Sequence, residues 1–501
     1  MALIGLDIGT TGSKAHVFSD DLKLLASASR EYAVDIPHPM WAEQDAEKVW
    51  TLAKECLREA IAKAGIDQAA AISFSVQGEA VAPVDAQGRA LRPMILGMDT
   101  RTGKENEWLK EKFGARELFN MTGMPANVNN TLPKLLWLKN NEPALWKEAH
   151  QFLLYEDFII NKMAGKAVIS KCLASRTQVY DLEKDGWSAP ILDAIGLEPG
   201  CLAEVAPSGA NAGQMDAELS SELGLKNRPI VAVGGHDQAC GALGSGLTQP
   251  GLAMVSTGTA EVVEVALATP HLNDDLYAGN MSVYLHTFPG LYVVMTLNQS
   301  GGFVLRWFRD TFCQSEMTTA QQGGGDAYDL ALQGAGAGPS PVMLLPHFSG
   351  SGTPTFDIAS KGALVGLTFG TTKADVAKAI LDGLTLELRL NLEILQKGGI
   401  VINELRAIGG GAKSELWLQL KADVTGIPVA APEVTEAAGM GAAILAGVAA
   451  GVFNDPTAAI NDHMKIKKVY QPNPETKALY DERYELYQEL YPAVKEINHK
   501  L

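Results

Sequence analysis

Cysteine is scarce in this chain of 501 residues: there are five, Cys56, Cys172, Cys201, Cys240 and Cys313, and none forms a CxxC pair. An odd number of widely spaced thiols excludes a disulfide framework and a structural zinc site, and points to a reducing, cytoplasmic setting. Positive charge is in deficit, with 41 Lys and Arg against 58 Asp and Glu and a net charge of −17. Neither nucleic acid nor an anionic membrane is therefore an expected partner. Long hydrophobic runs are missing. The nearest candidate, residues 437–453, contains four glycines and falls short of the ~20 apolar residues of a membrane span. It reads as a small-residue helix packed tightly against a sheet. No secretion signal is read, because Leu3–Ile8 runs at once into a turn. The phosphate-binding pattern GxxxxGK[ST] is absent too, since Lys14 follows a serine and precedes an alanine.

What is present is a recurring unit, an apolar strand that runs into a glycine turn. Near the midpoint, Ile230–Val233 leads into Gly234-Gly235-His236-Asp237 and a small-residue helix start. Similar turns follow Leu3–Asp7, Ala253–Thr257 and Leu405–Ile408. A carboxylate just past a strand's C-terminal end sits where open α/β sheets bind ligands, although a helix N-cap is the plain structural reading of Asp237.

Strands are predicted at Leu3–Asp7, Lys14–Phe18, Leu24–Tyr32 and Ala70–Val76, with a hairpin over Val81–Leu91. A helix is predicted over Asp45–Ala64 from its apolar spacing. In the second half, Ala253–Val265 repeats the strand–turn–strand opening, and Thr372–Leu395 is a long helix begun by a Thr372/Asp375 capping box. Tyr480, Tyr484, Tyr487 and Tyr491 share one face of the last helix and read as packing. The chain is too long for one core at ~150 residues per domain. Two α/β domains, 1–245 and 246–501, with a cleft between them are expected from this internal repetition.

The first turn, Asp7-Ile8-Gly9-Thr10-Thr11-Gly12-Ser13-Lys14, offers successive N–H groups and hydroxyls to an anion. Asp7 would repel phosphate directly and is better suited to Mg²⁺. A second such turn, Ser256-Thr257-Gly258-Thr259, could grip the same phosphates, and Gly409–Gly411 with Ala412 and Ser414 could floor a flat base. Asp237 would then accept the proton of an acceptor hydroxyl in phosphoryl transfer. Gln77, Glu79, Asp99 and Gln238 would supply the mixed donors and acceptors that a polyhydroxyl substrate needs. A structural carboxylate is the alternative for Glu79.

At these residues the sequence resembles the FGGY carbohydrate kinases, nearly end to end. In one long pattern Thr131, Lys134, Leu135, Trp137, Leu138, Asn140 and Asn141 agree, while Asn129 departs. In a second, Gly362 to Leu367, Asp375-Val376 and Ala379 to Asp382 agree throughout. The resemblance implies a duplicated ribonuclease H-like, actin-like ATPase fold with an interdomain cleft, and ATP and Mg²⁺ as cofactors. It implies Asp237 as catalytic base, and Asp7 with Asp237 as the metal-associated carboxylates. The nucleotide contacts it implies are Thr10, Thr11, Lys14, Gly258, Thr259, Gly302, Gly410, Gly411 and Ser414.

Within the family the segment His38 to Asp45, together with Met98 to Arg101, is most similar to the xylulokinase branch. Gln77-Gly78-Glu79 departs from that branch's Gln-Met-His. A ketopentose such as D-xylulose is the expected substrate. A glycerol-like, erythritol-like, other ketose or dihydroxypentanedione-like substrate stays open, as does an actin-like ATPase without a sugar. The partners expected are a sugar or polyol and ATP, with a homodimer as an open alternative.

Overall fold

The computed structural model describes residues 1–434 and 436–501. Two sheets are built on one plan. In the first, Ala2–Ile8, Gly12–Phe18 and Leu24–Glu31 form an antiparallel meander. Ala69–Val76 and then Ile230–Ala232 add in parallel on the other side of Ala2–Ile8, and Asn211–Gln214 closes the edge antiparallel. In the second, Leu252–Thr257, Glu261–Leu267 and Tyr292–Asn298 repeat the meander, Glu404–Ile408 and Val429–Pro432 add in parallel, and Ile466–Tyr470 closes the edge. Ser282–Leu285 is an extra strand on the meander side of the second sheet only. This is the duplicated α/β fold that the sequence resemblance implies.

Leu3, Ile4, Leu6 and Ile8 are all fully buried, as befits a strand covered on both faces. One cover is the helix Ala46–Ala64, two of whose free first-turn N–H groups, those of Glu47 and Lys48, donate to the Asp45 carboxylate. The other is the helix Ala437–Ala449, which belongs to the second half of the chain yet lies on the sheet of the first. A Cβ added at Gly5 would collide with the Gly439 carbonyl, and one at Gly441 with the Cys240 carbonyl. Small residues thus let this helix sit against both the first sheet and the helix Asp237–Gly244. No helix among the described residues is long and apolar enough to cross a membrane.

The capping box at Thr372 and Asp375 opens the helix Lys373–Lys397. The tyrosine face of Pro474–Asn498 packs against that helix, with Tyr480, Tyr484 and Tyr487 donating to Asp382, Glu393 and Glu387. The hairpin expected over Val81–Leu91 is reduced to one bridge, Val84 to Ala90. Asp85 closes the turn by accepting from Gln87 and Arg89, but the ladder of Ala82–Val84 is taken by the distant strand Gln151–Leu153.

Candidate active site

Strand register brings the carboxylates together. Asp7 and Gly235 both lie beside Ser75 of Ala69–Val76, one on each side. Adjacent strands are ~4.8 Å apart, so Asp237, two residues beyond Gly235, leaves the sheet on the far side of Ala69–Val76 from Ala2–Ile8, about two strand spacings away. Asp237 is the first residue of its helix, with His236 at the cap position, and its Oδ1 accepts from the Gln238 N–H at 2.7 Å. Its side chain is 28 % exposed, enough to meet a ligand.

The charges here are unbalanced. Burial, with the Asp7 carboxylate beside it, pushes the Asp237 carboxyl up to about 7, and Glu79 adds to this while Arg176 and the Gln238 N–H oppose it. Burial also raises Asp7, against a 2.7 Å hydrogen bond from Ser75 Oγ. His236 is buried and held well below the usual histidine range, first by desolvation and then by Arg176. Its Nε2 lies 3.1 Å from Asp237 Oδ1 and its Nδ1 3.2 Å from the Tyr284 hydroxyl, which in turn donates to Glu264.

A neutral network sets the first turn. Gln77 Nε2 donates to the Gly9 carbonyl and to Gln44 Oε1, Thr10 Oγ1 donates to Gln77 Oε1, and Tyr155 and Tyr32 donate to Gln44 Oε1 and the Gly9 carbonyl. Thr11 at the tip is exposed. Gln77 is therefore a brace for the turn.

The second turn stands on a buried ion pair. Thr257 Oγ1 donates to Glu261 at 2.7 Å, and Lys421 Nζ donates to both. Gly258 and Thr259 are exposed at the tip. Their carbonyls accept from Gly302 and Gly301, so the helix Gly302–Phe312 starts against the turn. Gly409 takes φ 82°, and a Cβ there would lie 2.7 Å from the Thr257 carbonyl, so only glycine fits. Gly410 and Gly411 continue as a 3₁₀ turn beside it, and Ser414 Oγ caps the next helix by accepting from Trp417 N–H at 3.3 Å.

Three expected ligand residues are engaged by the protein itself: Gln77 in the turn network above, Asp99 and Lys14. Asp99 has no exposed surface, and its carboxylate is saturated by the Ala42 and Arg101 N–H groups and the Arg101 guanidinium. It is a structural carboxylate. Lys14 Nζ lies 3.1 Å from Glu436 in a half-exposed pair, and its charge also opposes the raising of Asp7. Gln238 lies partly exposed beside Asp237. Glu79 is in the site, φ 59°, ion-paired with Arg176. Sequence reasoning missed Arg176, His236 and Tyr284. His236 could have been flagged by its adjacency to Asp237, whereas Arg176 and Tyr284 carried no local signal.

Comparison with known proteins gives the class. Residues 2–244 match the model of the FGGY family of carbohydrate kinases, N-terminal domain, and residues 253–450 match the C-terminal domain model of the same family. The chain belongs to the FGGY family of carbohydrate kinases and is an ATP:sugar phosphotransferase. It is 30 % identical to the xylulose kinase of Staphylococcus xylosus over 494 residues, covering 98 % of this chain and 99 % of that one. It is 29 % identical to the autoinducer-2 kinase of Enterobacter sp. strain 638 over 503 residues, covering 98 % and 94 %. Among solved structures, ligand-bound xylulose kinase from Lactobacillus acidophilus superposes with a TM-score of 0.89 at 25 % identity, covering 99 % of this chain and 98 % of that one.

Proposed function

We propose that the enzyme phosphorylates an open-chain ketopentose, D-xylulose, with Asp237 as the general base. The observation that carries this reading is Asp237 itself: a part-exposed carboxylate at the strand ends, raised to about 7 by burial and by Asp7 beside it. A base poised near neutrality accepts a hydroxyl proton efficiently. The xylulose kinase relatives support the choice of sugar.

Asp7 and Asp237 fit a divalent cation, because burial raises both carboxyls and Asp7 raises Asp237 further, with Lys14 opposing the shift at the first and Arg176 at the second. They would hold Mg²⁺, which supplies charge neutralisation to the nucleotide phosphates. No group of three ligating side chains is present among the described residues, in keeping with a cation that keeps water and phosphate ligands. Thr11 and the tip Gly258-Thr259, which are exposed, and the part-exposed Thr10 backbone would donate to phosphate, Gly302 backs the second turn, and Gly410, Gly411 and the Ser414 backbone floor the adenosine. Closing the halves excludes water, which would otherwise compete as acceptor. Five free cysteines, four of them buried, fit a reducing cytoplasm.

A second reading, phosphorylation of a polyol or of a substrate like that of the autoinducer-2 kinases, is favoured by Glu79, whose carboxylate stands at the sugar side in a pair with Arg176. Coupled ADP release over a panel of pentuloses, hexuloses and polyols, with the phosphate position of each product, separates the two. D-Xylulose should give the highest kcat/KM. Asp237→Ala should lower kcat by about 10²–10⁴ with KM for ATP little changed. ATP hydrolysis indifferent to every sugar would sink the proposal.

A further inference from the structure

We infer that Arg176 is a specificity-determining residue, and that with Glu79 it clamps an adjacent carbonyl and hydroxyl, or a vicinal diol, on an uncharged open-chain substrate. The inference rests on the sugar-kinase reading above and names the chemistry its sugar end selects.

Arg176 ends the short helix Lys171–Arg176 and its side chain is 7 % exposed. Three contacts fix the guanidinium. Nη2 pairs with Glu79 Oε1, Nη1 lies 3.8 Å from Met295 Sδ, and the plane sits 4.7 Å from the centre of the Tyr284 ring. The third nitrogen is unused: Nε is buried and has no hydrogen-bond partner among the described residues. A buried donor left unpaired is costly, and a ligand oxygen would satisfy it. On the other side of the ion pair, Glu79 Oε2 has no protein donor among the described residues.

Both free atoms look onto glycines. A side chain started at Gly78 would lie 3.9 Å from Arg176 Nε and 3.0 Å from the His236 ring, and one at Gly97 would lie 3.3 Å from Glu79 Oε2. Neither glycine brings a side chain of its own against these groups, and the His236 ring stands against Gly78. Glu79 is held at a left-handed φ of 59°, a strain that persists where the surroundings enforce it. Thr131 Oγ1 and Lys134 Nζ do so by donating to its carbonyl.

One donor and one acceptor side by side match a carbonyl next to a hydroxyl, the arrangement at the keto end of a ketose. The pair is neutral overall, so it has no net charge with which to draw in a sugar acid. Arg176→Lys keeps the charge facing Glu79 but loses the Nε donor and the planar fork.

The test compares D-xylulose with 1-deoxy-D-xylulose, which lacks the hydroxyl beside the carbonyl, in the full-length enzyme and in Arg176→Lys and Arg176→Gln. The unmodified enzyme should favour D-xylulose by about 10²–10⁴ in kcat/KM, the range for a site built to hydrogen-bond a hydroxyl. Both variants should bring the ratio below about 10, mainly through KM for sugar, with KM for ATP within about 2-fold. If Arg176→Gln does not fold, Arg176→Lys decides. A folded variant with an unchanged ratio overturns the clamp alone, as does an unmodified enzyme that turns over the two sugars equally. Failure of the unmodified enzyme to use any sugar overturns the proposed reaction and the clamp with it.

Discussion

The turns that follow Ala2–Ile8 and Leu252–Thr257 hold the same place in the two sheets, yet they are built for opposite electrostatics. Asp7-Ile8-Gly9-Thr10 in the first matches Ser256-Thr257-Gly258-Thr259 in the second. Asp7 lies beside Ser75 on the neighbouring parallel strand, whereas Ser256 lies beside Ile408. The first turn is braced by uncharged amides and hydroxyls, and its acids Asp7 and Asp237 are left for a ligand to neutralise. The second turn keeps its acid, Glu261, behind the turn and satisfies it with Lys421. Duplication supplied two similar turns; under the proposed function, the difference between them puts the cation and the sugar at the first and the bulk of the nucleotide at the second.

Replacing Asp7 by serine makes the first turn a copy of the second, and it should break the comparison most severely. Asp7→Ser should lower kcat/KM by about 10²–10³, the usual loss when one electrostatic stabiliser of the transition state is removed. The Mg²⁺ concentration for half-maximal rate should rise with it. Initial rates measured against Mg²⁺ decide: a variant with the original Mg²⁺ curve would leave Asp7 outside the cation site.

Much of this layout is legible in sequence, for a physical reason. A buried strand that must turn sharply shows itself as an apolar run ended by glycine, so all four turns and the position of Asp237 could be placed. A capping box is equally local, and Thr372 with Asp375 behaves as its spacing requires. Asp99 misled because an aspartate after a strand has the right chemistry for a sugar. The clue was Arg101 two residues on, close enough to take both its oxygens. Arg176 was beyond reach: it meets Glu79, 97 residues away in the chain, only through the tertiary fold. Small residues at 437–449 signalled close packing on a sheet, but nothing local said that the sheet would be the first.

The buried ion pair behind the second turn gives the next test. Lys421 and Glu261 are each 1 % exposed in their side chains, so removing one leaves the other uncompensated. Lys421→Met should destabilise the protein by about 3–5 kcal/mol, and adding Glu261→Gln, which keeps an acceptor for Thr257, should restore part of it. Denaturant unfolding of the single and double variants measures both. A single variant within about 1 kcal/mol of the parent would mean that the turn does not depend on the pair.

Lys134 is the first half's counterpart: a lysine with no exposed surface that has carbonyls where Lys421 has a carboxylate. Its Nζ donates to the Glu79 carbonyl at 3.0 Å and the Asn129 carbonyl at 2.5 Å. Burial lowers its pKa from 10.5 to about 8, with Glu79 and Asp99 only partly opposing this. Between those values the unfolded chain holds a proton that the folded protein has released, so stability from this group rises with pH. Below about 8 both states are charged and the whole cost of burying the ammonium applies, about 3 kcal/mol by linkage. Lys134→Met removes the titration and adds a constant offset from its lost hydrogen bonds. The stability difference between parent and variant should therefore shift by about 2 kcal/mol in the parent's favour from about pH 7.5 to about pH 9.5, a window below the titration of the tyrosines. Chemical denaturation at intervals across that window checks it. Parallel stability curves would show that Lys134 stays charged in the fold, and that the two halves handle a buried lysine alike.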